Sequence, residues 1–253
     1  FTIFFTLQAI LFTNLFSQNS LNVAKMDSLI TNLEINNKAM FSISLAEKGK
    51  VIYQRSVGYI DTNLTIKTNE NTKYRIGSIT KMFTSIMILQ LVEEKKIELK
   101  TTLSKFFPKV KNASKITIED MLCHRSGIHD FTNEEAYSTY YTMPRSQKEM
   151  LNMMIGFQSD FAPTTQQEYS NSNYILLGYI IEKITKKSYA DNLQKRIVEK
   201  IGLKNTYYGS KASPDKNETR SFQWRDNKWN AAKETDMSIP HGAGSIVSTT
   251  GDL

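Results

Sequence analysis

Ser78 and Lys81 stand three positions apart in the stretch YRIGSITKMFTSIMILQLVEE, residues 74–94, an apolar run that carries one lysine near its start. A helix puts positions three apart on one face, so a hydroxyl and an ammonium meet there at a helix N-terminus. Such a pair is suited to nucleophilic acyl transfer, in which the serine attacks a carbonyl while a neighbour takes its proton. A lysine of ordinary pKa is neutral in only about one molecule in two thousand at pH 7, so burial or nearby cations must lower that pKa. A shift of three units costs about 4 kcal/mol. The helix dipole works in the same direction, since its positive end disfavours the ammonium and favours a developing alkoxide. By itself S-x-x-K is also the spelling of a helix-capping serine followed by a lysine whose stem runs along the surface to water.

Several elements must position this pair. From Lys38 onward, MFSISLA and VIYQRSVGYI are β-rich runs separated by EKGK, which predicts a β-hairpin. A hairpin alone is not a stable sheet, so partner strands are expected elsewhere or outside this chain. The helix beginning near Ser78 carries Met82, Phe83, Ile86, Met87, Ile88, Leu89, Leu91 and Val92. It is apolar on nearly every face, as expected of the central helix of a soluble core. A short helix is predicted in TIEDMLCHRSG, and helices joined by loops in HDFTNEEAYSTYYTMPRSQKEM. YSNSNYILLGYIIEKITKKSYADNLQKRIVEKIGL provides two more helical patterns, while the stretch from NTYYGS to WRDNKWN reads as polar and turn-rich.

Composition sets the class. The 253 residues are 40% hydrophobic, enough for a globular core. The net charge of +7, from 32 basic and 25 acidic residues, is spread along the chain. Spread in this way it is a solvated basic surface, and no nucleic-acid recognition module accompanies it. One cysteine and three histidines leave no disulfide framework and no zinc spacing, and neither metal nor cofactor is expected. The opening FTIFFTLQAILFTNLFSQNS resembles the hydrophobic part of a secretory signal peptide without its charged start, and the chain has no initiator methionine. Residues 1–18 are therefore expected to be a leader remnant on an exported protein, although a core helix or a membrane anchor is the other reading of that run. Residues 19–253 are expected to form one compact domain, since no repeat or low-complexity linker interrupts them.

YRIGSITKMFTSIMILQLVEEKKIEL, then ITIEDMLCHRSGIHDF, then YSNSNYILLGYIIEKITKKSY resemble, in that order, the serine β-lactamase and penicillin-binding-protein superfamily. The nearest part of it is the class C β-lactamase-like branch, with its D-alanyl-D-alanine carboxypeptidases, D-aminopeptidases and esterases. The resemblance runs from Lys38 to Leu253. It implies an α+β fold, an antiparallel sheet with flanking helices beside a helical subdomain, with the site between them. It implies Ser78 as the acyl-accepting nucleophile and Lys81 as the partner that shares its proton. The branch's Y-x-N motif falls on Tyr169, Ser170 and Asn171. Tyr169 would exchange protons with Ser78 and water, and Asn171 would hydrogen-bond the substrate amide and Lys81. Which of Lys81 and Tyr169 is the base stays open, and alone Tyr169 is equally a buried phenol near a helix start.

The same resemblance places the Ser78 backbone N–H in an oxyanion hole. HGAGSIVSTTGDL, at the chain's end, resembles the glycine-rich stretch that precedes the family's third motif and opens a helix near Thr249. The third motif and the strands completing the sheet are thus expected beyond residue 253. His124 is read as structural, Cys123 as a buried inert thiol, and Gly242 with Gly244 as no nucleotide loop. Trp224 and Trp229 are read as rim packing. The expected activity is acyl-enzyme hydrolysis of a peptide, amide, ester or β-lactam, with a small molecule or peptide as partner. A catalytically inactive sensor or ligand-binding domain is the alternative. Oligomeric state is not legible.

Overall fold

The computed structural model describes residues 21–253, so the leader-like run lies outside the described residues. Contacts group the chain into two units, Phe1–Lys38 and Ala39–Leu253. In the first, α1 (Val23–Ile35) starts where the Asn22 side chain accepts the Lys25 N–H at 2.9 Å, a cap that sequence reasoning did not single out.

In the second unit the predicted hairpin forms as β1 (Phe41–Glu47) and β2 (Lys50–Val57), antiparallel and joined by Lys48 and Gly49. These two residues have φ of 49° and 77°, the double left-handed turn whose twist matches a hairpin. Five short strands follow: β3 (Tyr74–Arg75), β4 (Tyr207–Tyr208), β5 (Phe222–Arg225), β6 (Lys228–Ala231) and β7 (Ile246–Ser248). Every pairing between named strands is antiparallel, but they make three small sheets among the described residues: β1 with β2, β7 between β3 and β4, and β5 with β6. The β5–β6 hairpin corrects the turn-rich reading of that stretch. Its turn is Asp226–Asn227, with φ of 52° and 57°, and Asp-Asn flanked by strand-like FQWR and KWNA is the signal that identifies it.

The helices are α2 (Thr80–Glu93), α3 (Ile118–Leu122), α4 (Tyr137–Tyr140), α5 (Gln147–Gly156), α6 (Asn171–Thr185), α7 (Tyr189–Leu193), α8 (Glu199–Ile201) and α9 (His241–Gly244). Local chemistry starts them. Ser146 and Glu149 form a reciprocal capping box at α5, and Thr117 and Asp120 do the same at α3. The core lies where α2, α6 and α9 meet. Met87, Ile88 and Leu91 of α2 and Ile175, Leu176 and Ile180 of α6 are each wholly buried, a contribution of about 1.5–3 kcal/mol per side chain. The expectation of a helix buried all round needs correction, because Ile79, Met82, Ile86 and Leu89 leave an exposed apolar stripe along the α2 segment. Apolar patterning records faces suited to burial; it does not say which element covers them.

Glycine permits the close approach of α9 to α6. A Cβ at Gly242 would lie 2.6 Å from the Tyr174 carbonyl oxygen, and one at Gly178 2.6 Å from the His241 ring. The first obstacle is backbone, which cannot swing aside as a flexible side chain does. Gly242→Ala is therefore expected to destabilise the protein by about 1–3 kcal/mol, read as a lower urea midpoint at unchanged m-value. An unchanged midpoint would show that α9 has room to retreat.

Candidate active site

The Lys81 ammonium is buried, at 7% exposure, and donates to three acceptors from three parts of the chain. They are Ser78 Oγ at 3.0 Å, Asn171 Oδ1 at 2.9 Å and the Ala243 carbonyl at 2.9 Å. Ser78 Oγ lies 2.6 Å from the Tyr169 hydroxyl. The four residues taken from the sequence are thus brought together. Ser78 sits just ahead of α2, in the 3-10 turn Gly77–Ile79, and is exposed. Gly77, with φ of 51°, takes the left-handed conformation that turns the chain into this segment, a geometry that disfavours other residues.

Burial is the largest influence on Lys81 and lowers its pKa below the ordinary lysine value, against the opposing effects of Tyr169 and Asp130. A neutral lysine keeps two N–H donors and gains a lone pair. With the donors directed at Asn171 Oδ1 and the Ala243 carbonyl, the lone pair faces Ser78 Oγ. The arrangement therefore suits either protonation state, and the 2.6 Å contact from Ser78 leaves Tyr169 equally placed to take the proton.

Asn171 is the first residue of α6, with Ser170 as its N-cap. Tyr169, just outside the helix, is 49% exposed and so is not a buried phenol. Its ring stacks on His124 at 4.6 Å between centroids, and His124 Nδ1 accepts the Ser170 N–H at 3.1 Å. Burial lowers the His124 pKa, and the charge of Lys81 lowers it further, which favours the neutral ring that this acceptor role needs. Two groups at the site were not found from sequence. Asp130 accepts from Asn171 Nδ2 at 2.9 Å, and its only sequence signal is its place in the HRSGIHDF loop. The Ala243 carbonyl has no signal, because every residue carries one.

Ser78 and Asn171 line a cleft of about 280 Å³ whose walls include Arg75, Thr132, Tyr137 and Lys233. Arg75, Thr235 and Met237 also line an adjoining chamber of about 650 Å³. Arg75 is held in that wall by the Thr235 and Ser210 carbonyls, each at 2.8 Å, and by Glu234 at 3.1 Å. A groove of about 590 Å³ between the far ends of α2 and α6 contains neither serine nor cysteine.

Residues 38–253 match the family described as Beta-lactamase. The chain belongs to this family. A relative, the teichoic acid D-alanine hydrolase of Staphylococcus aureus (strain MRSA252), is 27% identical over 90% of this chain and 55% of its own length. The chain thus spans about half the length of the curated relatives it matches. Among solved structures, FmtA from Staphylococcus aureus superposes with a TM-score of 0.77 at 24% identity, covering 90% of this chain and 62% of that one. The D-amino acid amidase from Ochrobactrum anthropi SV3, complexed with L-phenylalanine amide, gives 0.73 at 24%, covering 92% and 68%. The octameric penicillin-binding protein homologue from Pyrococcus abyssi gives 0.74 at 26%, covering 92% and 55%. The mixed α and β architecture anticipated above is therefore that of this Beta-lactamase family. No described helix is long and apolar enough to cross a membrane.

Other residues singled out in this Beta-lactamase-family chain lie apart from Ser78. Trp224 and Trp229 face each other across β5 and β6, ring centroids 5.3 Å apart, and neither lines the Ser78 cleft. Cys123 is exposed rather than buried, because it falls at the C-cap of α3, where the helix stops. His129 Nδ1 is 2.7 Å from Asp160 and Nε2 is 2.9 Å from Glu134. Burial lowers its pKa, but the two carboxylates outweigh burial and hold it above the ordinary 6.5. A raised folded pKa stabilises fully below the unfolded value, and that contribution fades as pH rises through the folded value. The stability margin of wild type over His129→Gln, read as urea midpoints from pH 5 to 9, is therefore expected to be largest below pH 6.5 and to shrink above it. A margin independent of pH would assign the effect to packing on Phe157, whose ring is 5.1 Å away.

Proposed function

We propose that this protein is an exported serine acyl hydrolase that forms an acyl-enzyme on Ser78. The observation that carries this reading is a single hydroxyl within hydrogen-bonding reach of two titratable groups, Lys81 Nζ at 3.0 Å and Tyr169 OH at 2.6 Å. Ser78 Oγ attacks the substrate carbonyl, and its proton passes to Lys81 or Tyr169. The Ser78 backbone N–H holds the oxyanion, and Asn171 hydrogen-bonds the acyl-side amide or amine. The bond to the leaving group breaks as that group takes up the proton. Water then attacks the acyl-enzyme and gives its proton to the same pair, releasing the acid and restoring the serine.

The substrate class follows from three considerations. The cleft of about 280 Å³ has room for a small acyl group beside Ser78. The relatives named above include a D-alanine hydrolase and a D-amino acid amidase. The leader-like start suits work outside the cytoplasm. A D-aminoacyl ester or amide is accordingly the proposed substrate, taken from solution or from a larger carrier.

Intact mass after exposure to a fluorophosphonate, a β-lactam and a D-alanyl or L-alanyl activated ester tests this. Ser78→Ala is expected to remove every adduct, and the D-alanyl ester to turn over faster than its L counterpart. Tyr169→Phe, which keeps the ring on His124, is expected to slow acylation by about 10²–10⁴-fold. Folded wild-type protein without any adduct would overturn the enzyme and leave a ligand-binding domain.

A further inference from the structure

We infer that Asp130 is a positioning residue whose buried carboxylate fixes the orientation of the Asn171 amide and thereby keeps an acceptor on Lys81. The inference rests on the proposed reading of Lys81 and Asn171 and adds a residue to it. Asp130 is 4% exposed. Its Oδ1 accepts the Thr132 N–H at 3.0 Å, and its Oδ2 accepts from Asn171 Nδ2 at 2.9 Å.

An amide side chain has nearly the same shape when its oxygen and nitrogen change places, so packing alone does not choose between the two orientations. An ionised carboxylate does choose, because it accepts and never donates. With Nδ2 held by Asp130, and reaching Thr132 Oγ1 at 3.4 Å, Asn171 Oδ1 is left pointing at Lys81 Nζ, 2.9 Å away. The reverse orientation would set an NH2 against the ammonium, donor against donor. The relay runs Asp130, Asn171, Lys81, Ser78, each link a hydrogen bond of 2.9–3.0 Å.

Asp130 also acts through charge. The groups facing Lys81 are the Tyr169 hydroxyl, the Tyr169 and Tyr174 rings at 4.8 and 5.6 Å, His124 and Asp130. Of these, Asp130 is the carboxylate, and it opposes the burial that otherwise drives Lys81 toward the neutral amine. Removing the charge and removing the amide acceptor therefore move Lys81 the same way. The competing role, a plain N-cap for the 3-10 turn Phe131–Asn133, involves Oδ1 alone.

Asp130→Asn separates the two roles, because asparagine caps as well as aspartate while presenting an NH2 to the Asn171 NH2. The measurement is the titration of the Lys81 side chain by ¹³C NMR in the resting protein, together with pH profiles of kcat and KM on an activated D-alanyl ester. Asp130→Asn is expected to move the Lys81 midpoint and the acid limb of kcat/KM to lower pH, with thermal stability near wild type. At the wild-type optimum kcat/KM is expected to fall about 10- to 100-fold. The exchange Asp130→Asn with Asn171→Asp restores a donor facing an acceptor and a carboxylate oxygen toward Lys81, and is expected to bring the midpoint back up.

A Lys81 midpoint unmoved in Asp130→Asn, or one that the exchange variant fails to raise, would overturn the inference. If Asp130→Asn does not fold, Asn171→Ala asks the same question, and an unshifted Lys81 there overturns it equally. A wild-type protein without turnover would sink the hydrolase reading while the NMR titration still decides the role of Asp130.

Discussion

An ammonium taken out of water must find acceptors on every side, and Lys81 finds one close in sequence and two far from it. Ser78 lies one turn away, Asn171 opens α6, and Ala243 belongs to the one-turn α9. Burial of a cation without such partners costs several kcal/mol, so these contacts hold the three segments to one arrangement. The packing follows suit: α9 comes close enough to offer its carbonyl because Gly242 and Gly178 have no Cβ where the helices touch. Thr84 adds a second tie in the same place, its hydroxyl donating to the Gly242 carbonyl at 2.6 Å.

Around this centre the molecule is layered by chemistry. The apolar faces of α2 and α6 supply the stiffness that keeps the ammonium and the amide at a fixed separation. A polar layer then joins α6 to the loop after α3, where Ser126 Oγ donates to Asn173 at 2.6 Å and Ser172 Oγ to the His129 carbonyl at 2.6 Å. His124 and His129 serve this layer in opposite electrostatic settings. The first is pushed toward neutrality beside Lys81 and supports the Tyr169 ring; the second has its pKa raised by two carboxylates. Ser78 and Tyr169, by contrast, are exposed.

Much of this was legible in the amino-acid order. The β1–β2 hairpin announced itself through strand-like runs about a glycine turn, and α2 and α6 through their apolar density. Ser78 and Lys81 were singled out by their spacing and Tyr169 and Asn171 by resemblance to the Y-x-N motif, and the fold brings the four together. The β5–β6 hairpin was missed although its Asp-Asn turn is a local signal. The exposed stripe of Ile79, Met82, Ile86 and Leu89 was not foreseen, since a run that is apolar on all sides carries no period from which to read an uncovered face.

The sequence by itself determined the family, the main elements, and the side chains that could share a proton, because all three depend on residue type and short-range pattern. Only the tertiary structure decided how far Lys81 is desolvated, which carbonyl takes its third hydrogen bond, and which carboxylate turns the Asn171 amide. Burial is a property of everything packed around a group, and a backbone carbonyl is chemically the same at every residue. Long-range packing therefore makes one carbonyl, that of Ala243, and one acid, Asp130, different from the rest.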